Sequence, residues 1–190
     1  MIQKKTVAWL ESLKERSHNM EFGLITNGNV SLEMIPTVEH IFDDVWVSMV
    51  GFQPETYRKI MGMDINRTMA FVETLVKNRR VLLTPKFLVT PLNLHEANLF
   101  LEWIARITPH QCAFQDAESM SYINLNTRDV FWQKIISRTG ADVRKFIVTQ
   151  KEALSASGTV IKIDTRCRNI YGITDEIIRE SDGVVVWMKS

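Results

Sequence analysis

An α/β protein with a mostly parallel sheet is what this sequence predicts, on three observations. Short apolar or β-branched runs closed by turn residues alternate with amphipathic segments at helical spacing. Helices of ordinary length stand between the strand-like runs, which is the pattern of βαβ units. The chain has 190 residues, 45% of them apolar and 24% charged, ordinary values for one globular domain able to bury its own core.

The first segment, Thr6 to Ser17, carries Val7, Leu10 and Leu13 among Glu11, Lys14 and Glu15, an amphipathic helix. Phe22 to Thr26 reads as a strand closed by the turn pair Asn27-Gly28. Ser31 is placed to cap a helix holding Leu32, Ile35 and Val38, with Pro36 shortening or bending it. Val45 to Gly51 is β-branched and aromatic and reads as the second strand. Pro54 suits a first helical turn and Glu55 the dipole there. Asn66 to Lys77 is a longer helix with Met69, Val72, Leu75 and Val76 on one face.

Val81 to Thr90 is the third strand, and Pro85 within it predicts an irregularity or bulge. Asn93 is placed as a helix N-cap with Glu96 at the capping-box position, before the stripe Ala97, Phe100, Leu101 and Ile104. Gln111 to Gln115 is a fourth strand. Asp129 to Ser137 and Asp142 to Leu154 read as two helices. Val160 to Ile163 and Val184 to Met188 read as further strands, the last entered through Asp182-Gly183.

Composition excludes several classes of function. With 23 Lys+Arg against 22 Asp+Glu, the net charge of +1 gives no concentrated positive field for nucleic acid or an anionic membrane. No apolar run approaches the roughly 20 residues that cross a bilayer, and the start lacks a secretory apolar region. Cys112 and Cys167 are too few for a four-cysteine zinc site or a cysteine-ligated cluster within one chain, though one pairing between them stays open. A soluble, reduced, cytoplasmic protein is expected.

Right-handed crossovers between parallel strands give either an open doubly wound sheet or an arc of a (β/α) barrel, and both bind ligands at the C-terminal ends of strands. Thr26 to Gly28, Ser48 to Gly51, Thr90 to Asn93 and Gln115 to Ser119 follow the four strands. All four stretches are small and polar, as a hydroxyl- or carboxylate-bearing ligand requires; turns and caps draw on the same residue types.

These strand ends carry a resemblance. Leu24-Ile25-Thr26-Asn27-Gly28 resembles the third barrel strand of radical S-adenosylmethionine enzymes. Val45 to Gly51, followed by Glu55 to Gly62, resembles their fourth strand and the segment after it. Asn66 to Leu75 resembles the next helix, and Phe87 to Thr90 with Asn93 and Glu96 the fifth strand and its helix start. The likeness runs in order from about Phe22 to Phe114.

It implies a partial (β/α) barrel arc, third to sixth strands, over residues 1–118, with a C-terminal helical and β extension over 119–190 packed on the same core. It further implies that Ser48 faces the cosubstrate's ribose, Thr26 and Asn27 its methionine or ribose, and Thr90 and Asn93 its adenosine. Asp116 and Glu118 would stand at the barrel mouth as acid or base toward substrate.

The family's three-cysteine cluster motif and glycine-rich loop are absent from these residues, and Val50-Gly51 stands where the family often has Asp-Gly. The resemblance therefore implies the later part of such a barrel, separated from its cluster-bearing part. It would bind S-adenosylmethionine, with a [4Fe–4S] cluster only if another segment or chain supplies it. Reductive cleavage needs that cluster's electron. The alternative is a non-catalytic interaction or nucleotide-binding module retaining the scaffold alone.

A small molecule or peptide is the expected substrate. The Phe22 to Ile25 edge is expected to meet a cluster-bearing partner, a second copy, or Val184 to Met188 of the same chain. Three lesser constellations remain. His40 stands near Asp43 and Asp44; Cys167 lies between Arg166 and Arg168, which would favour its thiolate; Lys77, Arg79 and Arg80 cluster at a helix end.

Overall fold

Each apolar run becomes a strand and each amphipathic segment a helix in the computed structural model, which describes residues 4–17, 19–90, 92–116 and 130–187. Helix α1 (Lys4–Arg16) leads to β1 (Gly23–Thr26), α2 (Ile35–Ile41) to β2 (Asp44–Met49), and α3 (Pro54–Met61) with α4 (Ile65–Asn78) to β3 (Leu82–Val89). Then come α5 (Ala97–Ile107), β4 (Gln111–Asp116), α6 (Val130–Ser157), β5 (Val160–Ile163), α7 (Thr165–Tyr171), α8 (Asp175–Glu180) and β6 (Val185–Trp187).

The six strands form one sheet in the order β1-β2-β3-β4-β5-β6, and every neighbouring pair is parallel. A doubly wound sheet reverses its strand order at a switch point, and this one never does. Successive same-handed crossovers in one direction put every helix on the same face, the winding of a barrel arc.

Helix packing agrees with that winding. Contacts run from α2 to α4, from α5 to α6, and from α6 to α7, a continuous outer layer. Against it the strands turn Val45, Val47, Met49, Leu83, Phe87, Phe114, Ile161 and Ile163, each buried to 1% exposure or less. Phe87, Phe100 and Phe114 meet ring to ring between β3, α5 and β4, with centroids 5.3–5.8 Å apart. Burying each such ring stabilises by about 1.5–3 kcal/mol.

Four local expectations change. β3 pairs with β2 in unbroken register from Leu82 to Phe87, so Pro85 makes no bulge. The β3–β4 ladder begins only at Lys86, so Pro85, which has no N–H, sits just before the strand takes up its second neighbour. Asp129 to Ser137 and Asp142 to Leu154 merge into the single helix α6, which runs through Gly140 at a propensity cost of about 1 kcal/mol.

Two short helices, α7 and α8, stand where no helix was expected. Asp164 and Thr174 cap them, accepting from the N–H groups of Cys167 and Ile177. Finally, β6 pairs with β5 and not with β1, so Val185–Trp187 does not cover the β1 edge; Met188, also expected there, lies outside the described residues.

The start of β1 is pinned to the start of β2. Asp43 accepts from the Phe22 N–H at 2.8 Å and pairs with the Lys14 ammonium, and the lysine holds its carboxyl below the usual range, helped by that N–H. Gly28 closes β1 with φ +69°, and an added Cβ would sit 3.0 Å from Val47 Cγ1 and 3.1 Å from Thr68 Cγ2.

Gly28→Ala is expected to lower stability by about 1–3 kcal/mol in urea titration, from the left-handed backbone and the collision together. For Asp43, the lowered native pKa means its contribution is present above the unfolded value of 3.8 and disappears as pH falls through the native one. The stability gap between the natural chain and Asp43→Asn should therefore close on acidification below about pH 4, read by thermal melts across pH.

Candidate functional site

Strands of a parallel sheet ordinarily read as continuous apolar runs, because both faces are buried. Here the face turned away from the helices mixes polar with apolar side chains. In-register neighbours share a face, so Ile25, Trp46 and Thr84 form one row across β1, β2 and β3. Ser48, Lys86, Ala113, Lys162 and Val186 form the next row toward the strand ends. Leu88 and Gln115 stand beyond them. A hydroxyl, two ammoniums, an indole and an amide on one face of a parallel sheet are what the lumen of a barrel presents to a ligand.

Both lysines reach the same indole. Lys86 Nζ lies 5.8 Å and Lys162 Nζ 5.5 Å from the centre of the Trp46 ring, within cation–π range. Lys86 is 8% exposed, and burial pulls its ammonium below the ordinary lysine pKa. The indole N–H donates to Asp44 Oδ2 at 2.7 Å, which fixes the ring, while Asp44 Oδ1 is buried without a hydrogen bond. Thr84 and Gln111, both buried, bond side chain to side chain across β3 and β4.

At the C-terminal rim the chain is held by side chains that reach between strands. Asn93 is fully buried. Its Oδ1 accepts from the Thr90 N–H at 2.7 Å, and its Nδ2 donates to the carbonyls of Val50 at 2.7 Å and Leu88 at 2.8 Å. That ties the end of β2 to the end of β3. It makes no side-chain cap bond, so the expected N-cap is replaced by a clamp.

Glu96 likewise does not close a capping box on its own helix. Its Oε2 accepts from the Phe52 N–H at 2.5 Å and the Gln53 N–H at 3.0 Å, anchoring the loop after β2. Gly51 gives room there, since a Cβ would lie 3.0 Å from Thr56 Cγ2 and 3.2 Å from that oxygen. Its other oxygen, Oε1, is buried without a hydrogen bond, 3.7 Å from His95 Nε2.

The remaining predicted residues divide by face. Ser48 is half-buried in the lysine row. Thr26 pairs with Val47 and so stands in the helix-facing row, its hydroxyl accepting from the Gly28 N–H. Asn27 Oδ1 accepts from the Asn29 N–H, and its carbonyl accepts from Thr68 Oγ1, which also bonds Tyr57. Burial raises the Tyr57 hydroxyl above its usual pKa, so it stays neutral. Asn29 Oδ1 is buried without a hydrogen bond in the same loop. Thr90 Oγ1 accepts from the Leu92 N–H. Asp116 closes β4 opposite Val89, and Glu118 lies outside the described residues.

The lesser constellations resolve structurally. His40 and Asp43 are exposed, and among the described residues no group of three or more His, Cys, Asp or Glu side chains converges as metal ligands would. Cys167 is fully buried at the start of α7, out of reach of solvent reagents, and no disulfide joins it to Cys112. Burial pushes the Cys112 thiol far above its ordinary pKa. Neither cysteine is placed to ligate an iron–sulfur cluster, so the described residues do not fit that group. Lys77, Arg79 and Arg80 are exposed at the end of α4.

Comparison with known proteins bears on the fold. No family model matches the chain, and no curated protein sequence matches it. Among solved structures it is similar to Streptococcus suis SuiB, a radical S-adenosylmethionine enzyme whose structure was determined bound to the precursor peptide SuiA. The TM-score is 0.55 at 12% identity, over 78% of this chain and 32% of SuiB, so the chain spans about a third of that protein's length. At this identity the likeness carries the fold alone, an α/β arc of parallel strands.

Asn93→Ala leaves one buried N–H and two carbonyls unmet, and it should lower stability by about 2–4 kcal/mol in denaturant titration. A loss under 1 kcal/mol would mean the clamp is not what holds the rim.

Proposed function

We propose that this chain forms the later strands of a radical S-adenosylmethionine-type barrel, offering its non-helical face to the cosubstrate and a small-molecule or peptide substrate. The single observation that supports the reading most is the all-parallel, unreversed strand order with polar side chains on the face opposite the helices. Two orphaned acceptors at the rim, Asn29 Oδ1 and Glu96 Oε1, fit the hydroxyl and amino donors of an adenosyl group.

On this reading Ser48 and Asn27 contact the adenosyl and methionine parts, while Thr26, Thr90 and Asn93 hold the loops that shape the rim. Asp116 and Glu118 serve the substrate side. S-adenosylmethionine would supply a sulfonium whose reductive cleavage draws one electron from an iron–sulfur cluster. The described residues do not fit that cluster, so activity depends on a segment or partner chain that carries it, docked at the free edge of β1. Ile25, 72% exposed on that strand, supports an associating edge. A reducing cytoplasm suits such a centre.

Titration calorimetry with S-adenosylmethionine tests the reading. Binding with a Kd of about 1 mM or tighter, roughly −4 kcal/mol, is expected, weakened about 5–10-fold by Ser48→Ala. Absence of any heat, with no amide chemical-shift change in the loops after β1 and β2, would overturn it.

A further inference from the structure

Lys86 and Lys162 are the least explained charges in the sheet. In their row they flank Ala113, so their Cα atoms stand two strands apart, roughly 10 Å. The methyl group of Ala113 keeps the floor between them low. Ser48 adds a hydroxyl on the other side of Lys86. A lysine ammonium offers three donors and no acceptor, so this row is strongly donor-rich.

Among the described residues no carboxylate lies within ion-pair distance of either lysine, and neither ammonium has a hydrogen-bond acceptor. The ring of Trp46 is their common neighbour, and a quadrupole compensates an ammonium only in part. The one acid on this face of β2, Asp44, has its Cα four residues back along the strand, about 13 Å from the Ser48 Cα, and puts one oxygen on the indole N–H without pairing with either ammonium. A cation as buried as Lys86 is ordinarily paired, because desolvating it alone is costly.

We propose that Lys86 and Lys162 form an oxyanion site in the middle of the sheet face, which receives a carboxylate or phosphate carried by the substrate. The two ammoniums supply the opposite charge, and the Trp46 ring lies beside both. This deepens the reading of the face as a ligand lumen and rests on it. It adds that the substrate is anionic, and that its charged end lies at mid-strand, N-terminal to the rim that would hold the adenosyl group.

The test uses the whole chain with 13C,15N-labelled lysine, observed at Cε by NMR, titrated with inorganic phosphate and, separately, with acetate. Sodium chloride at matched ionic strength is the control. The Lys86 and Lys162 signals should shift saturably with a Kd in the millimolar range while the other lysines stay still. Lys86→Met and Lys162→Met should each weaken binding about 10-fold, and both keep the length of the stem so that the sheet remains packed. The arm that saturates at lower concentration distinguishes a phosphate-bearing from a carboxylate-bearing substrate.

Shifts shared by all lysines, shifts matched by chloride, or undiminished binding in both folded Met variants would overturn the site. S-adenosylmethionine titration of the same sample separates the two readings. Anion binding without cosubstrate binding defeats the cosubstrate reading alone, and the reverse defeats the oxyanion site alone.

Discussion

Strand pairing that always proceeds in one direction governs the rest of this molecule. Because β1 to β6 are laid down in order and all run parallel, each crossover has to return on the same side of the sheet. The helices are thereby confined to one face, where Val47, Met49, Phe87, Phe114 and Ile163 meet them. Among the described residues the opposite face has no helical layer of its own. That face is where the chain can place polar groups at all, since on the helical side each would need a partner inside an apolar core.

The constraint also explains how the rim is built. Parallel strands end together at one edge of the sheet, and their loops carry backbone groups that the ladder no longer satisfies. Asn93 and Glu96 meet those groups from the start of the helix after β3, reaching back to the loop after β2. Thr68 does the same for the loop after β1, and Tyr57 in turn bonds Thr68. Neighbouring βα units are thus coupled at their C-terminal ends by side chains as well as by the ladder. A rim so tied is stiff, which limits the entropy lost when a ligand settles on it.

The charges follow a similar logic. Exposed pairs such as Arg106 with Glu73 and Lys151 with Asp182 contribute little on a screened surface. Lys86 differs because it is buried on a strand, beside an indole, with no carboxylate among the described residues within ion-pair distance. A protein interior retains such a group at a cost in stability, and that cost is understandable where the ammonium meets a ligand. The mid-strand lysines and the polar rim then divide the same face between two chemistries, one for an anion and one for hydroxyl and amino donors.

The order of elements was legible in the residues themselves. Apolar periodicity marked the six strands and most of the helices, and Asn27-Gly28 and Pro54 marked real boundaries, because these signals are local and act through backbone sterics. The caps Asp164 and Thr174 were equally local, and they were the available sign of α7 and α8. Alternation in Asp44-Val45-Trp46-Val47-Ser48 and around Lys86 and Lys162 already set two faces apart, a pattern at odds with strands buried on both sides. Other features could be decided only by tertiary structure. Whether Asn93 and Glu96 cap a helix or clamp a neighbouring loop depends on what lies within 3 Å of them. That Ser48 shares a row with both lysines while Thr26 turns to the helices depends on register, which an isolated strand does not carry. Distances between strands arise only when the ladder closes, so the residues supplied the chemistry and the pairing of strands decided which groups meet.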